Sequence, residues 1–195
     1  DRAALLSGRF GQLGETLVSG VGPTDVASPQ GAAALSEFAL PRVAANVTVA
    51  VDGGVQPHKI VELQSNGVTW KVGVTAVVDP SVHGADKLGT VAPPGPALTQ
   101  QIAAMKKAGA QFTVALAHGE RSFAESLARE VEGLDMAVVG VVEGVDRERL
   151  GTPPALIEGT YVVEPGTQLQ TITQLRLSVD AAKGVPALSE WTVAT

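Results

Sequence analysis

The stretch QFTVALAHGERSFAESLAREVEGLDMAVVGVVE, residues 111 to 143, decides the fold that the sequence predicts. It contains two apolar runs, Phe112 to Ala117 and Met136 to Val139, with an amphipathic segment from Glu120 to about Glu132 between them. Two buried strands separated by one amphipathic helix indicate a strand-helix-strand unit whose strands are parallel. We therefore expect an α/β domain built outward from this unit.

The same unit predicts where a functional site would lie. Ligands of open α/β sheets gather at the carboxyl ends of the strands. The first strand is expected to end on His118, and the second is followed by the turn from Gly140 to Glu143. The sequence therefore places a candidate site at this edge of the sheet.

Composition limits the classes of protein to consider. The 195 residues suffice for one domain spanning 1 to 195, with a core built mainly from Val, Leu, Ile and Ala because aromatic residues are only 4%. The formal net charge is −6, and Lys106 and Lys107 are the only adjacent basic pair. Nucleic-acid binding depends on clustered basic residues, so we expect no nucleic-acid partner.

Other classes are limited by what the sequence lacks. No cysteine is present, which excludes disulfides and thiolate metal sites and leaves the redox compartment undecided. No apolar run approaches the roughly 20 residues of a membrane-spanning helix, so we expect no membrane span. The chain opens at Asp1 without an initiating Met, which suggests a processed or excised piece.

The first half of the chain predicts two helices and three strands. Helices are expected over residues 3 to 18 and 31 to 38, the second ended by Pro41, and a strand from Val43 to Val51. Lys59 to Gln64 and Val68 to Val78 predict a hairpin, because the Asn66-Gly67 dipeptide between them favours a tight turn.

The second half predicts a loop with four prolines over residues 79 to 96, either functional or mobile. A helix from Ala97 to Ala108 should follow, burying Leu98, Ile102 and Met105. After the central unit we expect a charged loop and then strands, over the following ranges: loop 144 to 154, strands 161 to 163, 170 to 179 and 191 to 194. This order of elements indicates an α/β domain with mixed sheets.

Five segments match a known family pattern in order and spacing. They are Pro41-Arg42-Val43-Ala44-Ala45-Asn46-Val47, Val68 to Val74, Val114 to His118, Leu127 to Asp135, and Gly159 to Leu177. Over roughly residues 15 to 180 the chain resembles the metallophosphoesterase (calcineurin-like) domain of the 5′-nucleotidase family. The resemblance implies two mixed β-sheets packed face to face with flanking helices. It also implies two metal ions, held by Asp, His and Asn, that hydrolyse phosphate esters.

The chain departs from that family at its metal ligands. The first two motifs, Asp-x-His and Gly-Asp, would lie upstream of this sequence, which predicts a domain incomplete at its amino terminus. The third motif, Gly-Asn-His-Asp/Glu, corresponds to Gly22-Pro23-Thr24-Asp25. Pro23 replaces the metal-binding Asn and Thr24 the His, while Asp25 is either a cation ligand or a residue that orders its own turn.

The last two motifs are partly kept. The fourth survives as His118, and the fifth, Gly-His-x-His, becomes Gly140-Val141-Val142-Glu143. Val141 cannot bind a metal, whereas Glu143 is either an oxygen ligand for a hard cation or a solvated loop carboxylate. The candidate metal ligands are thus His118, Glu143 and Asp25, which we interpret as remnants of a lost site.

Other residues of interest have simpler interpretations. His58 and His83 are expected at the surface, away from His118. The sequon Asn46-Val47-Thr48 falls in an expected buried strand and is interpreted as incidental. The two tryptophans, Trp70 and Trp191, are expected to pack in the domain, because no basic groove accompanies them.

Three functions follow as hypotheses. The first is a degenerate, non-catalytic metallophosphoesterase-like domain that acts as a binding or structural module without a cofactor. The second is a metal-dependent phosphoesterase or nucleotidase, using Mn, Zn, Mg or Ca, completed by an absent N-terminal segment. The third is a subunit of a larger surface or periplasmic assembly, with a protein partner. A periplasmic or extracellular location is favoured by the resemblance alone.

Overall fold

The computed structural model describes residues 16–26, 41–49, 54–65, 67–140, 151–166, 172–179 and 186–194. The described helices are α1 (Pro23–Val26), α2 (Pro94–Lys107) and α3 (Arg121–Glu130), with a 3-10 turn at Ala85–Leu88. The described strands are β1 (Ser19–Gly20), β2 (Arg42–Val43), β3 (Val47–Val49), β4 (Val55–Gln56), β5 (Lys59–Ser65), β6 (Val68–Val78), β7 (Gly89–Val91), β8 (Phe112–His118), β9 (Met136–Gly140), β10 (Thr152–Ile157), β11 (Thr160–Glu164), β12 (Ile172–Val179) and β13 (Pro186–Ala194).

A six-stranded mixed sheet forms the centre of the described structure. Its strand order is β10-β11-β9-β8-β6-β5, and the four inner strands run parallel. Each outer strand is joined to its neighbour as an antiparallel hairpin. Because the inner strands are parallel, their carboxyl ends meet at one edge of the sheet, as the sequence predicts.

One face of this sheet is covered by the two long helices. Alternate strand residues point toward α2 and α3 and form one apolar cluster with them. The fully buried helix side chains Leu98, Met105 and Leu127 belong to this cluster. Burial of each such side chain contributes about 1.5 to 3 kcal/mol. The apolar stripe predicted for α2, including Ile102, is therefore confirmed.

The opposite face is covered by two smaller sheets. Strands β1, β2 and β4 form a parallel sheet that contacts β6, and a Cβ built on Gly20 would lie 3.1 Å from that of Ala76. The antiparallel pair β12 and β13 covers the other half, where Leu175 and Leu177 pack against a cluster that includes Phe112. The predicted α/β class, with sheets packed face to face and flanking helices, is confirmed.

Most elements with a strong sequence pattern form as predicted. The hairpin of β5 and β6, the strands β8, β9 and β11, and the helices α2 and α3 are confirmed, with ends shifted by up to three residues. Strands β12 and β13 lie where the late strands were expected, although β13 is longer. The predicted helix over 31 to 38 lies outside the described residues. The predicted helix over 3 to 18 lies outside them up to residue 15, and its last two residues, Leu17 and Val18, are not helical.

The single strand predicted from Val43 to Val51 is wrong. The chain bends at Ala45 and Asn46, and β3 leaves the sheet of β2 to pair with β7. The bend is held by the Asn46 side chain. Its amide donates to the carbonyl oxygens of Val78 and Ala92, at 2.8 and 3.1 Å, and its oxygen accepts from the Val78 N–H at 2.9 Å.

Two predicted loops also contain regular structure. Residues 79 to 96 include the 3-10 turn and β7, because Ala85 and Leu88 are buried in an apolar cluster. The helix α2 already begins at Pro94, since proline suits the first helical turn. The other loop contains Pro153 and Pro154, which lie in β10. Prolines are tolerated there because β10 is an edge strand whose register shifts between Thr152 and Ala155.

No helix among the described residues is both long enough and apolar enough to span a bilayer.

Candidate functional site

The predicted strand edge brings together the ends of three parallel strands. In β8, His118 pairs with Val78 at the end of β6 and with Gly140 at the end of β9. The Asp79 N–H donates to the His118 carbonyl oxygen at 2.9 Å, and the Gly119 N–H donates to that of Gly140 at 3.3 Å. His118 and Gly140 therefore lie side by side at the strand edge where the sequence predicts them.

The His118 ring lies against the backbone of Gly22. A Cβ built on Gly22 would lie 2.8 Å from Cε1 and 2.9 Å from Nδ1 of the imidazole, closer than real Cβ atoms approach other atoms. Any residue other than glycine at position 22 would thus displace the ring. The turn that resembles the third metal motif consequently packs directly on the one histidine that the fourth motif retains.

Asp25 orders the turn in which it lies. Its Oδ2 accepts a hydrogen bond from the Gly22 N–H at 2.7 Å, and its own N–H donates to the Gly22 carbonyl oxygen at 3.1 Å. Its charge also acts on Arg42, which is buried in β2. Burial lowers the pKa of Arg42 from its ordinary value, and the nearby Asp25 carboxylate opposes that shift.

Pro23 stands where the sequence resemblance expects the metal-binding Asn of the third motif. Pro23 is buried and begins α1, and its side chain carries no atom that can bind a metal. Of the three candidate ligands, the structure brings His118 and Asp25 to one cavity of about 580 Å³. Glu143, like Val141 and Val142, lies outside the described residues.

A two-metal centre does not fit the described part of this site. A site of that kind needs several oxygen and nitrogen ligands around each ion. Within the described ranges, no group of three or more His, Asp and Glu residues could hold a metal ion. Asp25, one of the two candidates that meet there, already accepts the Gly22 N–H.

The remaining histidines lie elsewhere. His83 is exposed, as predicted. His58 is half-buried, which the surface interpretation did not anticipate, and its Nδ1 is 2.8 Å from Oε1 of Gln101 on α2. Both tryptophans, Trp70 and Trp191, are half-buried within strand pairs, which is consistent with packing.

One ion pair near this edge, with a buried glutamate and a half-buried arginine, was not predicted from the sequence. Glu164 ends β11 with only 5% of its surface exposed, and its Oε2 lies 3.3 Å from Nη1 of Arg121 at the start of α3. Thr152 also donates to this carboxylate oxygen, at 2.9 Å. The available signal was an acidic residue directly after the apolar run Tyr161 to Val163.

The chain has the fold of a metallophosphoesterase domain. No protein-family model and no curated protein matches it. Solved structures that share the fold include the sulfate thiohydrolase SoxB of Thermus thermophilus, the calcineurin-like phosphoesterase YfkN of Bacillus subtilis and a 5′-nucleotidase precursor, also of Thermus thermophilus. The fold resemblance found in the sequence is thereby confirmed.

The likeness is one of fold. Sequence identity is 14% to SoxB, 21% to YfkN and 21% to the 5′-nucleotidase precursor, with TM-scores of 0.68, 0.66 and 0.68. These matches cover 95%, 92% and 91% of this chain but 33%, 63% and 38% of the other chains. The chain thus spans between a third and two thirds of each of these structures.

Proposed function

We propose that this chain is a metallophosphoesterase-like domain that does not hydrolyse phosphate esters and acts as a binding or structural module. The observation that carries the proposal is the turn from Gly22 to Asp25. Its buried Pro23 stands where the sequence resemblance expects a metal-binding Asn, its Asp25 accepts the Gly22 N–H, and its Gly22 packs against the His118 ring.

The chemistry of the fold explains why this turn matters. In a two-metal phosphoesterase, the ions clamp both the attacking and the departing oxygen of the phosphoryl group. That role requires side chains that point donor atoms into one volume. In the described turn the Asp25 carboxylate is already hydrogen-bonded to the Gly22 N–H, and the Pro23 side chain carries no donor atom for a metal.

The proposed module belongs to a larger polypeptide or assembly. The similar solved structures extend well beyond the part that this chain matches, which supports additional protein next to this domain. The same observation supports a second candidate function, a phosphoesterase whose remaining metal ligands, for Mn, Zn, Mg or Ca, lie in another segment. The two candidates differ in whether His118 serves catalysis.

The test is a hydrolysis assay on the longest natural polypeptide that contains this chain. The substrates are bis-p-nitrophenyl phosphate and AMP, each assayed with added Mn²⁺ and with EDTA. His118→Ala is compared with His83→Ala, a matched control at an exposed histidine. We expect equal rates for all three proteins, with and without metal, at the level of buffer alone.

A different outcome would support the second candidate. Mn²⁺-dependent hydrolysis that is lost in His118→Ala and retained in His83→Ala would contradict the proposal, because it would show that His118 acts on the reaction.

A further inference from the structure

The cavity beside His118 has an unusual lining for a phosphoesterase-like site. It has a volume of about 580 Å³, within the range of roughly 300 to 1,000 Å³ that is typical of small-molecule sites. It lies where β6, β8 and β9 end, between the six-stranded sheet and β1. Its described wall is formed mainly by apolar and small residues, among them Val21, Ala76, Leu116, Val138 and Pro165.

The charge of this wall argues against an anionic ligand. Asp25 is the charged residue among the described lining residues, and no lysine or arginine lines that part of the cavity. A phosphate group would therefore face a carboxylate of the same sign. The Gly22 N–H, a type of group that often binds phosphate, instead donates to Asp25.

The charge of the wall does not favour a cationic ligand either. The Asp25 carboxylate already interacts with the Gly22 N–H and with the positive charge of the buried Arg42. A cation in the cavity would compete with Arg42 for that carboxylate. What remains is apolar surface with two further polar side chains in the wall, those of Ser19 and His118.

We infer that this cavity binds an uncharged, largely apolar small molecule in place of a metal-bound phosphate ester. The inference rests on the proposed function and adds a ligand class to it. Gly140, where an added Cβ would meet nothing closer than 3.5 Å, lets a flat ligand approach the backbone at that part of the wall. The apolar strand ends supply the contact surface, and Ser19 and His118 supply the polar part of the wall.

Indole is a suitable probe, because it is uncharged, flat and small enough for the cavity. It is titrated into the longest natural polypeptide that contains this chain, and two-dimensional NMR follows the backbone amides and the His118 ring protons. Inorganic phosphate is titrated in parallel. We expect saturable binding of indole with a dissociation constant of about 1 mM or lower, and no saturable shift with phosphate.

A cavity-filling variant tests the location. A Cβ added at Gly140 would have its nearest heavy atom at 3.5 Å, an ordinary contact, so Gly140→Leu can fill the cavity without a clash at Cβ. Gly95→Leu is the matched control. Gly95 lies in α2, away from the cavity, and a Cβ there would also have its nearest heavy atom at 3.5 Å, the Oε2 of Glu130. We expect indole binding at least about tenfold weaker in Gly140→Leu and within about twofold of the original in Gly95→Leu.

The outcomes separate this inference from the proposed function. Absence of saturable indole binding, shifts confined to residues away from Gly20, Gly22, His118 and Gly140, or competition by phosphate would each overturn the inference. The NMR mapping on the unmodified protein decides the matter even if Gly140→Leu fails to fold. A protein that binds no indole and hydrolyses no phosphate ester would overturn the inference and leave the proposed function standing. Metal-dependent hydrolysis that His118→Ala abolishes would overturn the proposed function itself.

Discussion

The contact between Gly22 and His118 is the residue-scale feature that distinguishes this site. The imidazole and the glycine backbone share a space that cannot also hold a Cβ. We expect Gly22→Ala to lower the free energy of unfolding by about 1 to 3 kcal/mol, because overpacking at a tight contact forces neighbours to move. The measurement is denaturant unfolding followed by circular dichroism.

A double-mutant cycle identifies the clash as the cause. In a His118→Ala background, the added methyl group meets space that the ring has left, so Gly22→Ala should cost less than about 0.5 kcal/mol. An equal cost in both backgrounds would show that the glycine is needed for its backbone conformation and not for the ring.

Asn46 is the second residue whose change should be costly. It is 2% exposed and makes three hydrogen bonds to the backbone, two to the buried Val78 and one to the exposed Ala92. We expect Asn46→Ala to destabilise the domain by about 2 to 4 kcal/mol, because those groups lose their partners. Gln64→Ala, which removes an exposed hydrogen bond to Thr69, is the control and should cost less than about 0.5 kcal/mol. A loss of similar size in both variants would contradict this role.

Some of these residue roles were visible in the sequence, and others were not. The position of His118 at a strand end followed from the apolar run before it, and the turn-ordering role of Asp25 was one of two interpretations left open. The burial of Arg42 and Glu164 was not predicted. A charged side chain can be buried only where distant segments supply its partners, and such partners leave no local pattern.

The tight turn of the β10-β11 hairpin is a strained point at the scale of elements. Ile157 pairs with Thr160, and the two residues between them, Glu158 and Gly159, both have positive φ, 47° and 89°. Turns of this type favour Asn-Gly, because asparagine tolerates the left-handed conformation better than glutamate. We expect Glu158→Asn to raise the free energy of unfolding by about 0.5 to 1 kcal/mol.

A matched substitution controls for the loss of negative charge. Glu132 is exposed and is not among the described residues with positive φ. Glu132→Asn should change the unfolding free energy by less than about 0.5 kcal/mol. Equal stabilisation by the two variants would attribute the effect to charge and not to the turn.

The ion pair between α3 and β11 should stabilise the packing of these elements. Arg121→Met leaves the buried Glu164 carboxylate without its arginine, and we expect a loss of about 2 to 3 kcal/mol. Arg176 and Glu190 form an exposed pair, 72% and 54% accessible, on β12 and β13. Arg176→Met should cost less than about 0.5 kcal/mol in the same unfolding experiment. Similar losses in the two variants would argue against a special role for the buried pair.

Elements were predictable where the local pattern and the tertiary structure agree. The β5-β6 hairpin has its Asn66-Gly67 signal, and α2 and α3 have regular apolar stripes. The strand predicted from Val43 to Val51 failed because Asn46 finds partners more than 30 residues away, which sequence periodicity does not show. Pro153 and Pro154 made a loop the expected structure where β10 forms. The sequence alone does not show that β10 is an edge strand, where prolines are tolerated.

At the scale of the whole molecule, the fold is that of a metallophosphoesterase domain, whereas the described residues at the carboxyl edge of its sheet do not form a group of metal ligands. The sheet order, the packing of helices on one face and the likeness to solved structures all define a metallophosphoesterase fold. Near the carboxyl edge of that sheet lie the buried Pro23, the turn in which Asp25 accepts the Gly22 N–H, and a largely apolar cavity. The resemblance in the sequence predicted the fold because the apolar patterns of the core strands and helices are local features of the sequence.

Metal binding tests the central claim most directly. The longest natural polypeptide containing this chain is titrated with Mn²⁺ by isothermal calorimetry, beside its His118→Ala variant. We predict no saturable site with a dissociation constant below about 1 mM in either protein, because the described site does not offer the ligands of a two-metal centre. Stoichiometric binding of two Mn²⁺ ions per chain that is lost in His118→Ala would contradict the account.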